Sequence, residues 1–88
     1  MLYRIYTEDV CEATTQKIIR ATSAHFDGFT VLKGLGYWRG AQENSLIIEI
    51  AGDQSDHAEI LLLAQEIKLI GKQQSVLVVK LNGTSRLV

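Results

Sequence analysis

Two hydrophobic periods alternate along this 88-residue chain, and their order constrains the fold more than any other feature of the sequence. Alternating patterns, which are typical of strands, occur over residues 2–7, 29–38 and 45–51, and a run of β-branched and aliphatic residues over 76–81 predicts a fourth strand. Apolar residues at helical spacing predict helices over residues 9–25 and 56–70. Each predicted helix begins with a pair that resembles a capping box, Asp9 with Glu12 and Asp56 with Glu59. The order of elements is therefore strand, helix, strand, strand, helix, strand.

This order predicts the α+β, ferredoxin-like βαββαβ sandwich, in which a four-stranded antiparallel sheet carries both helices on one face. We expect residues 1–88 to form a single ferredoxin-like domain, because a chain of this length suits one hydrophobic core. Asn82 and Gly83 form a turn signal, so residues 84–88 could add a short C-terminal fifth strand or reach onto a neighbouring subunit. The second sheet face stays uncovered in this plan, which favours a homo-oligomer, a trimer or a dimer.

Composition is that of an ordinary globular protein and argues against several functional classes. The net charge of -1 and the absence of a basic patch argue against nucleic acid as a partner. A single cysteine, Cys11, excludes an internal disulfide, and the opening residues lack the long apolar run of a signal peptide or a membrane span. We therefore expect a cytoplasmic protein with no membrane partner.

The segment between the second and third predicted strands contains the residues best suited to binding. We expect a turn over residues 40–44, with a ligand or partner site around it formed by Gly36, Tyr37, Trp38, Arg39 and Glu43. Tryptophan and arginine are residue types that anchor interfaces and pockets. Strand alternation places Tyr37 and Arg39 on one face, and Trp38 on the other face with Gly36. Two interpretations of Trp38 remain: it completes the core, or it contacts a ligand or partner.

Motifs for catalysis or cofactor binding are weak in this sequence. The glycines at 34, 36 and 40 lie within a hairpin and lack the spacing of a dinucleotide fingerprint, so we interpret them as strand and turn glycines. His25 and His57 are far apart in sequence, and we expect both to be residues of helix ends. Cys11 lies near a helix start, which favours the thiolate, but core packing is the simpler role. We predict no catalytic residue and no metal ligand, and the sequence identifies no cofactor.

The βαββαβ order, with D-G-F-T-V and then G-x-W in the central hairpin, resembles the PII-like and CutA-like superfamily of small oligomeric bacterial proteins. The resemblance implies a ligand cleft between subunits, where PII-like proteins bind nucleotides or metabolites. The short predicted turn over residues 40–44 differs from the long signalling loop of PII-like proteins. CutA-like proteins have a shorter hairpin and are more similar in length, but no copper-ligand cluster accompanies the hairpin here. Only the hairpin position is carried over as a site.

Together these features predict a small, non-catalytic, oligomeric binding or regulatory module. It would contact a small ligand or a protein partner through the hairpin tip and subunit clefts. The alternative is an oligomeric enzyme with an active site between subunits, built from Tyr37, Arg39 and Glu43 with Cys11 or His57. Regulatory domains of the amino-acid-sensing ACT type use the same fold and also bind small ligands between copies.

Overall fold

The computed structural model of the protein describes residues 1–82 and has the predicted ferredoxin-like architecture. The elements are β1 (Leu2–Glu8), α1 (Glu12–His25), β2 (Thr30–Trp38), β3 (Ala41–Ala51), a short 3-10 turn (Gln54–Asp56), α2 (His57–Ile70) and β4 (Leu77–Leu81). The strands form one sheet in the order β2-β3-β1-β4, and each neighbouring pair is antiparallel. The predicted fifth strand, over residues 84–88, lies outside the described residues.

The core lies between the two helices and one face of the sheet. Alternate residues of the two central strands are fully buried there, because strand side chains point to opposite faces in turn. These residues are Tyr3 and Ile5 of β1 and Leu46, Ile48 and Ile50 of β3. The two helices contribute unequally, since α2 buries Ile60, Leu63, Ala64 and Ile67, whereas the buried residues of α1 are Thr15, Ile18 and Thr22.

Both helix starts differ from the sequence prediction. The first helix begins at Glu12, and Cys11 is its N-cap without a side-chain cap hydrogen bond. The predicted capping role of Asp9 is wrong, because Cys11 is the N-cap and the carboxylate of Asp9 accepts from the hydroxyl of Thr15 at 3.3 Å. The backbone N–H of Asp9 donates to the carbonyl of Asn44 at 2.9 Å and holds the chain against β3. The capping box before α2 is formed by Asp53 with Asp56, one 3-10 turn earlier than predicted.

The central hairpin is tighter than predicted. Its turn consists of Arg39 and Gly40, with φ angles of 50° and 80°. Positive φ at both central residues is the geometry of a two-residue type I′ turn, which matches the twist of paired strands. The prediction of a turn over residues 40–44 is therefore wrong, because β3 already begins at Ala41, opposite Trp38. Since β1 pairs with residues 45–51 of β3 only, the hairpin projects beyond the rest of the sheet.

The sheet face opposite the helices carries no covering element among residues 1–82, as the sequence predicted. We call it the open face, and its central and edge positions are Arg4, Tyr6, Glu8, Leu32, Gly34, Gly36, Trp38, Glu43, Ser45, Ile47, Glu49, Leu77, Val79 and Leu81. Its four exposed large apolar residues are Leu32, Trp38, Leu77 and Leu81. Arg4 donates to Glu49 across its middle at 2.8 Å. Within the described chain, neither helix has the length and apolar character needed to cross a membrane.

Candidate functional site at the base of the hairpin

A cavity of about 450 Å³ opens where the hairpin leaves the body of the sheet. Its described wall consists of Tyr6, Thr7, Glu8, Gly36, Tyr37, Trp38, Glu43, Ser45, Gln73, Ser75 and Leu77. These residues come from all four strands and from the segment between α2 and β4. A volume in this range is sufficient for a small-molecule ligand.

Strand register explains how distant parts of the chain meet in this wall. Gly36 pairs with Glu43 between β2 and β3, and Glu8 pairs with Ser45 between β1 and β3. Tyr6 pairs with Leu77 between β1 and β4. Because paired residues point to the same face, these pairs all project from the open face. The cavity is therefore a feature of that face, at its hairpin end.

The absence of a side chain at Gly36 leaves room in the cavity. A Cβ atom at this position would lie 2.8 Å from the hydroxyl oxygen of Ser45, closer than normal van der Waals contact allows. At Gly34, two residues earlier on the same face, a Cβ would lie 3.7 Å from the nearest atom, which is an ordinary contact. Of these two glycines, only Gly36 has a close neighbour that a side chain would displace.

Trp38 is a surface residue, with 65% of its area exposed, so the interpretation that it completes the core is wrong. The guanidinium carbon of Arg39 lies 5.6 Å from the centroid of the indole ring, which is cation–π geometry. Arg39 therefore lies in the turn, against the ring of Trp38. The prediction that Arg39 shares a strand face with Tyr37 is wrong. The guanidinium of Arg39 therefore covers part of the indole, and the rest of the ring is exposed to solvent.

Tyr37 takes the opposite face of the hairpin from Trp38, as alternation predicted. It is 68% exposed, and its hydroxyl donates to the side-chain oxygen of Gln42 at 3.3 Å. Leu35, on the same face as Tyr37, is 62% exposed. The projecting hairpin thus exposes large apolar side chains on both faces.

Two carboxylates, Glu8 and Glu43, lie in the cavity wall. Gln73 donates to Glu8 at 3.3 Å, and this amide is neutral. The described wall contains no lysine, arginine or histidine. The site therefore combines negative charge with aromatic and apolar surface.

Four of the five residues predicted for the site belong to the cavity wall: Gly36, Trp38 and Glu43 on the open face, and Tyr37, which takes the opposite face of the hairpin. Arg39 lies next to it, on the ring of Trp38. The wall residues that the sequence did not indicate come from β1, from the segment before β4, and from Ser45 of β3 and Leu77 of β4. They could have been found from the ferredoxin-like strand order, which places β1 beside β3, combined with the alternation that directs Tyr6 and Glu8 away from the core.

The remaining reactive side chains lie elsewhere. Cys11 is exposed, so the expected packing role is wrong. Its sulfur lies 3.3 Å from the hydroxyl oxygen of Thr14, and this contact lowers the pKa of the thiol. His57 packs beside Tyr3 with ring centroids 6.1 Å apart, and its buried Nδ1 has no hydrogen-bond partner in the part of the chain described. Neither Cys11 nor His57 is in the cavity wall.

His25 joins the two helices. Its Nδ1 lies 2.5 Å from a carboxylate oxygen of Glu59, and its Nε2 lies 2.8 Å from one of Glu66. Hydrogen bonds to these two carboxylates raise the pKa of the imidazole, and the bond to Glu59 has the larger effect. Both ring nitrogens are thus engaged with α2, and over residues 1–82 no group of three or more histidine, cysteine or acidic side chains has metal-binding geometry.

The fold and the site define a ferredoxin-like α+β protein with a cavity on its open sheet face. No protein-family model and no curated protein matches the chain. Among solved structures it is similar to a phage SAM lyase in the apo state, with a TM-score of 0.60 and 20% identity over 88% of this chain and 75% of that chain. It is also similar to the de novo designed protein Foldit4, with a TM-score of 0.55 and 16% identity over 94% of both chains. At these identities the similarity shows a shared fold, and a shared fold does not determine function.

Proposed function

We propose that the protein is an oligomeric binding or regulatory module whose small ligand occupies the cavity at the base of the β2–β3 hairpin. The observation that carries this proposal is the convergence of Gly36, Trp38 and Glu43 with residues of β1 and β4 in one wall. An exposed indole beside an apolar and polar wall is the usual composition of a ligand pocket. A non-catalytic role is favoured because the side chains best suited to acid–base or nucleophilic chemistry, Cys11 and the two histidines, lie outside that wall.

Oligomerisation is supported by the open face. Leu32, Leu77 and Leu81 expose apolar surface there, and a second copy would remove it from water. The ion pair of Arg4 with Glu49 leaves the middle of the face without an unpaired charge, so burial of this region costs less than burial of a lone ion. Because the cavity opens on the same face, a second copy would also narrow its mouth. A PII-like or CutA-like trimer or dimer in the cytoplasm is the form of this proposal that the hairpin resemblance favours.

Native mass spectrometry of the protein purified from its host tests both parts of the proposal. We expect an oligomer that retains a small molecule, and loss of that molecule in Trp38→Ala. Leu35→Ala is the matched control, because Leu35 lies on the same strand with similar exposure but points away from the cavity. A monomer without a bound small molecule would contradict the proposal. Equal retention of the molecule by both variants would also contradict it.

A second candidate is an oligomeric enzyme that acts on S-adenosylmethionine, with its active site between subunits. The observation that favours it is the similarity to the phage SAM lyase over 88% of this chain, together with a cavity large enough for that molecule. Incubating the purified protein with S-adenosylmethionine and following its loss by chromatography tests this candidate. We expect loss that scales with protein concentration and is slowed in Glu43→Gln. No loss above the protein-free rate would remove the candidate and leave the binding module.

A further inference from the structure

We propose that the cavity selects an organic cation that carries a flat ring. This inference rests on the proposed function, because it specifies the chemistry of the ligand at the same site. It states that the ligand is positively charged. Neither the fold nor the volume of the cavity determines the charge of a ligand.

The charge argument begins with Glu8 and Glu43. Glu8 pairs with Ser45 across the strands, and Glu43 lies two residues before Ser45 on the same face. The two glutamates are therefore diagonal neighbours, with Cβ atoms roughly 7 Å apart. This spacing allows one small cation to lie between the two carboxylates. Gly36 pairs with Glu43 from β2, on the side of β3 away from Glu8, and has no side chain to cover Glu43 from that side.

Neither glutamate is paired with a cation within residues 1–82. Other carboxylates of the protein do have such partners: Arg4 binds Glu49, His25 binds Glu59 and Glu66, and Lys33 lies within 3.6 Å of Asp9 and Glu12. The net charge of the whole chain is only -1, so the negative charge of the wall comes from Glu8 and Glu43 themselves. Two unpaired carboxylates in a concave wall attract a cation and repel an anion.

The aromatic residues supply the second half of the recognition. Tyr6 and Trp38 project from the open face at the cavity, on opposite sides of the glutamate pair. The guanidinium of Arg39 already lies over one side of the Trp38 ring, so a ligand ring would stack on the part of the indole that remains exposed. A flat ring that stacks on the exposed indole would place an attached positive charge toward Glu8 and Glu43. A phosphate-bearing nucleotide, by contrast, meets two carboxylates and no cationic side chain in the described wall, and the neighbouring guanidinium of Arg39 lies over the ring of Trp38.

The test uses two pairs of probes that differ in charge. S-adenosylmethionine is a sulfonium cation at its sulfur, and S-adenosylhomocysteine is its neutral thioether counterpart. The second pair, 1-methylnicotinamide and nicotinamide, has no adenosyl group. Trp38 is the only tryptophan in the chain, so titrations of its fluorescence report binding at the cavity itself. The full chain is used in its natural oligomeric state.

We expect the cationic member of at least one pair to bind about tenfold more tightly than the neutral member. Glu8→Gln and Glu43→Gln should each reduce that preference, and the double variant should abolish it. Asp27→Asn is the matched control, because Asp27 is exposed and outside the cavity, so it changes the net charge equally and should leave the preference unchanged.

Equal affinity for both members of each pair would overturn the inference while leaving a binding site in place. The same preference in the double glutamate variant would also overturn it. Absence of binding by all four probes would overturn the inference as well. The proposed function would then be decided separately by the native mass measurement, which assumes nothing about ligand charge.

Discussion

Replacement of His25 by glutamine should make the stability of the protein less dependent on pH. His25 is 15% exposed in its side chain, and each ring nitrogen faces a carboxylate of α2. A neutral imidazole has one N–H group and can donate to only one of them, whereas the imidazolium donates to both. Glu59 and Glu66 therefore hold the pKa of His25 above its ordinary value.

The size of the effect follows from the exposure of the partners. Exposed ion pairs contribute about 0.2–1 kcal/mol each, and the glutamates are 44% and 48% exposed, so the two pairs together should contribute about 1 kcal/mol. Because the pKa is raised in the folded state, this contribution is fully present below the unfolded pKa of about 6.5. It is lost as the pH rises through the folded pKa of His25.

The assay is urea unfolding of the wild type and His25→Gln at several values between about pH 5.5 and pH 9, a range that spans the unfolded pKa of histidine. The free energy of unfolding should differ by about 1 kcal/mol at the acidic end, and the difference should shrink toward the basic end. Glu66→Gln removes one of the two partners and should remove about half of the pH dependence. A difference that is constant across this range, or that grows with pH, would refute the assignment.

Three further predictions concern other positions. Cys11 should react with iodoacetamide faster than a free thiol at neutral pH, because contact with Thr14 lowers its pKa, and Thr14→Val should slow the reaction as followed by mass spectrometry. Gly40→Ala should lower the free energy of unfolding by about 1 kcal/mol, because φ is 80° at this position; Gly28→Ala, which has open space and no positive φ, should not. Ile48→Val should cost about 1 kcal/mol in urea unfolding, because this side chain is fully buried at the centre of the sheet. A Gly40 variant as stable as the Gly28 variant, an unchanged alkylation rate or a neutral Ile48 variant would each contradict the corresponding assignment.

The element order was predictable from the sequence because each element carries a long apolar pattern. The two central strands alternate clearly, and the ferredoxin-like order followed from the pattern alone. The start of β3 was not predictable in the same way. Gln42, Glu43 and Asn44 look like loop residues, yet they are strand residues in a hairpin that projects into solvent. Because both faces of this part of the hairpin are in solvent, neither face needs apolar residues, and the alternation that identifies a half-buried strand is absent.

The candidate site was half predictable for a related reason. Residues of the hairpin are contiguous in sequence, so Trp38 and Glu43 could be proposed together. Glu8 and Gln73 are 65 residues apart and meet only through the pairing of β1 with its neighbours, so no local pattern indicates them. The position of the Arg39 side chain was also missed, because a positive φ in the turn redirects it onto the indole.

The unequal burial of the two helices has a consequence for how the protein opens. Two of the three buried residues of α1 are threonines, and one of them, Thr22, uses its hydroxyl to donate to the carbonyl of Ile18 at 2.8 Å. With little apolar area holding it to the sheet, α1 should be the first helix to exchange its amide hydrogens, at a free energy below that of global unfolding. The cavity lies on the opposite face of the sheet. Local unfolding of α1 would therefore leave the ligand site assembled. The protein would still bind its ligand while one of its two helices is unfolded.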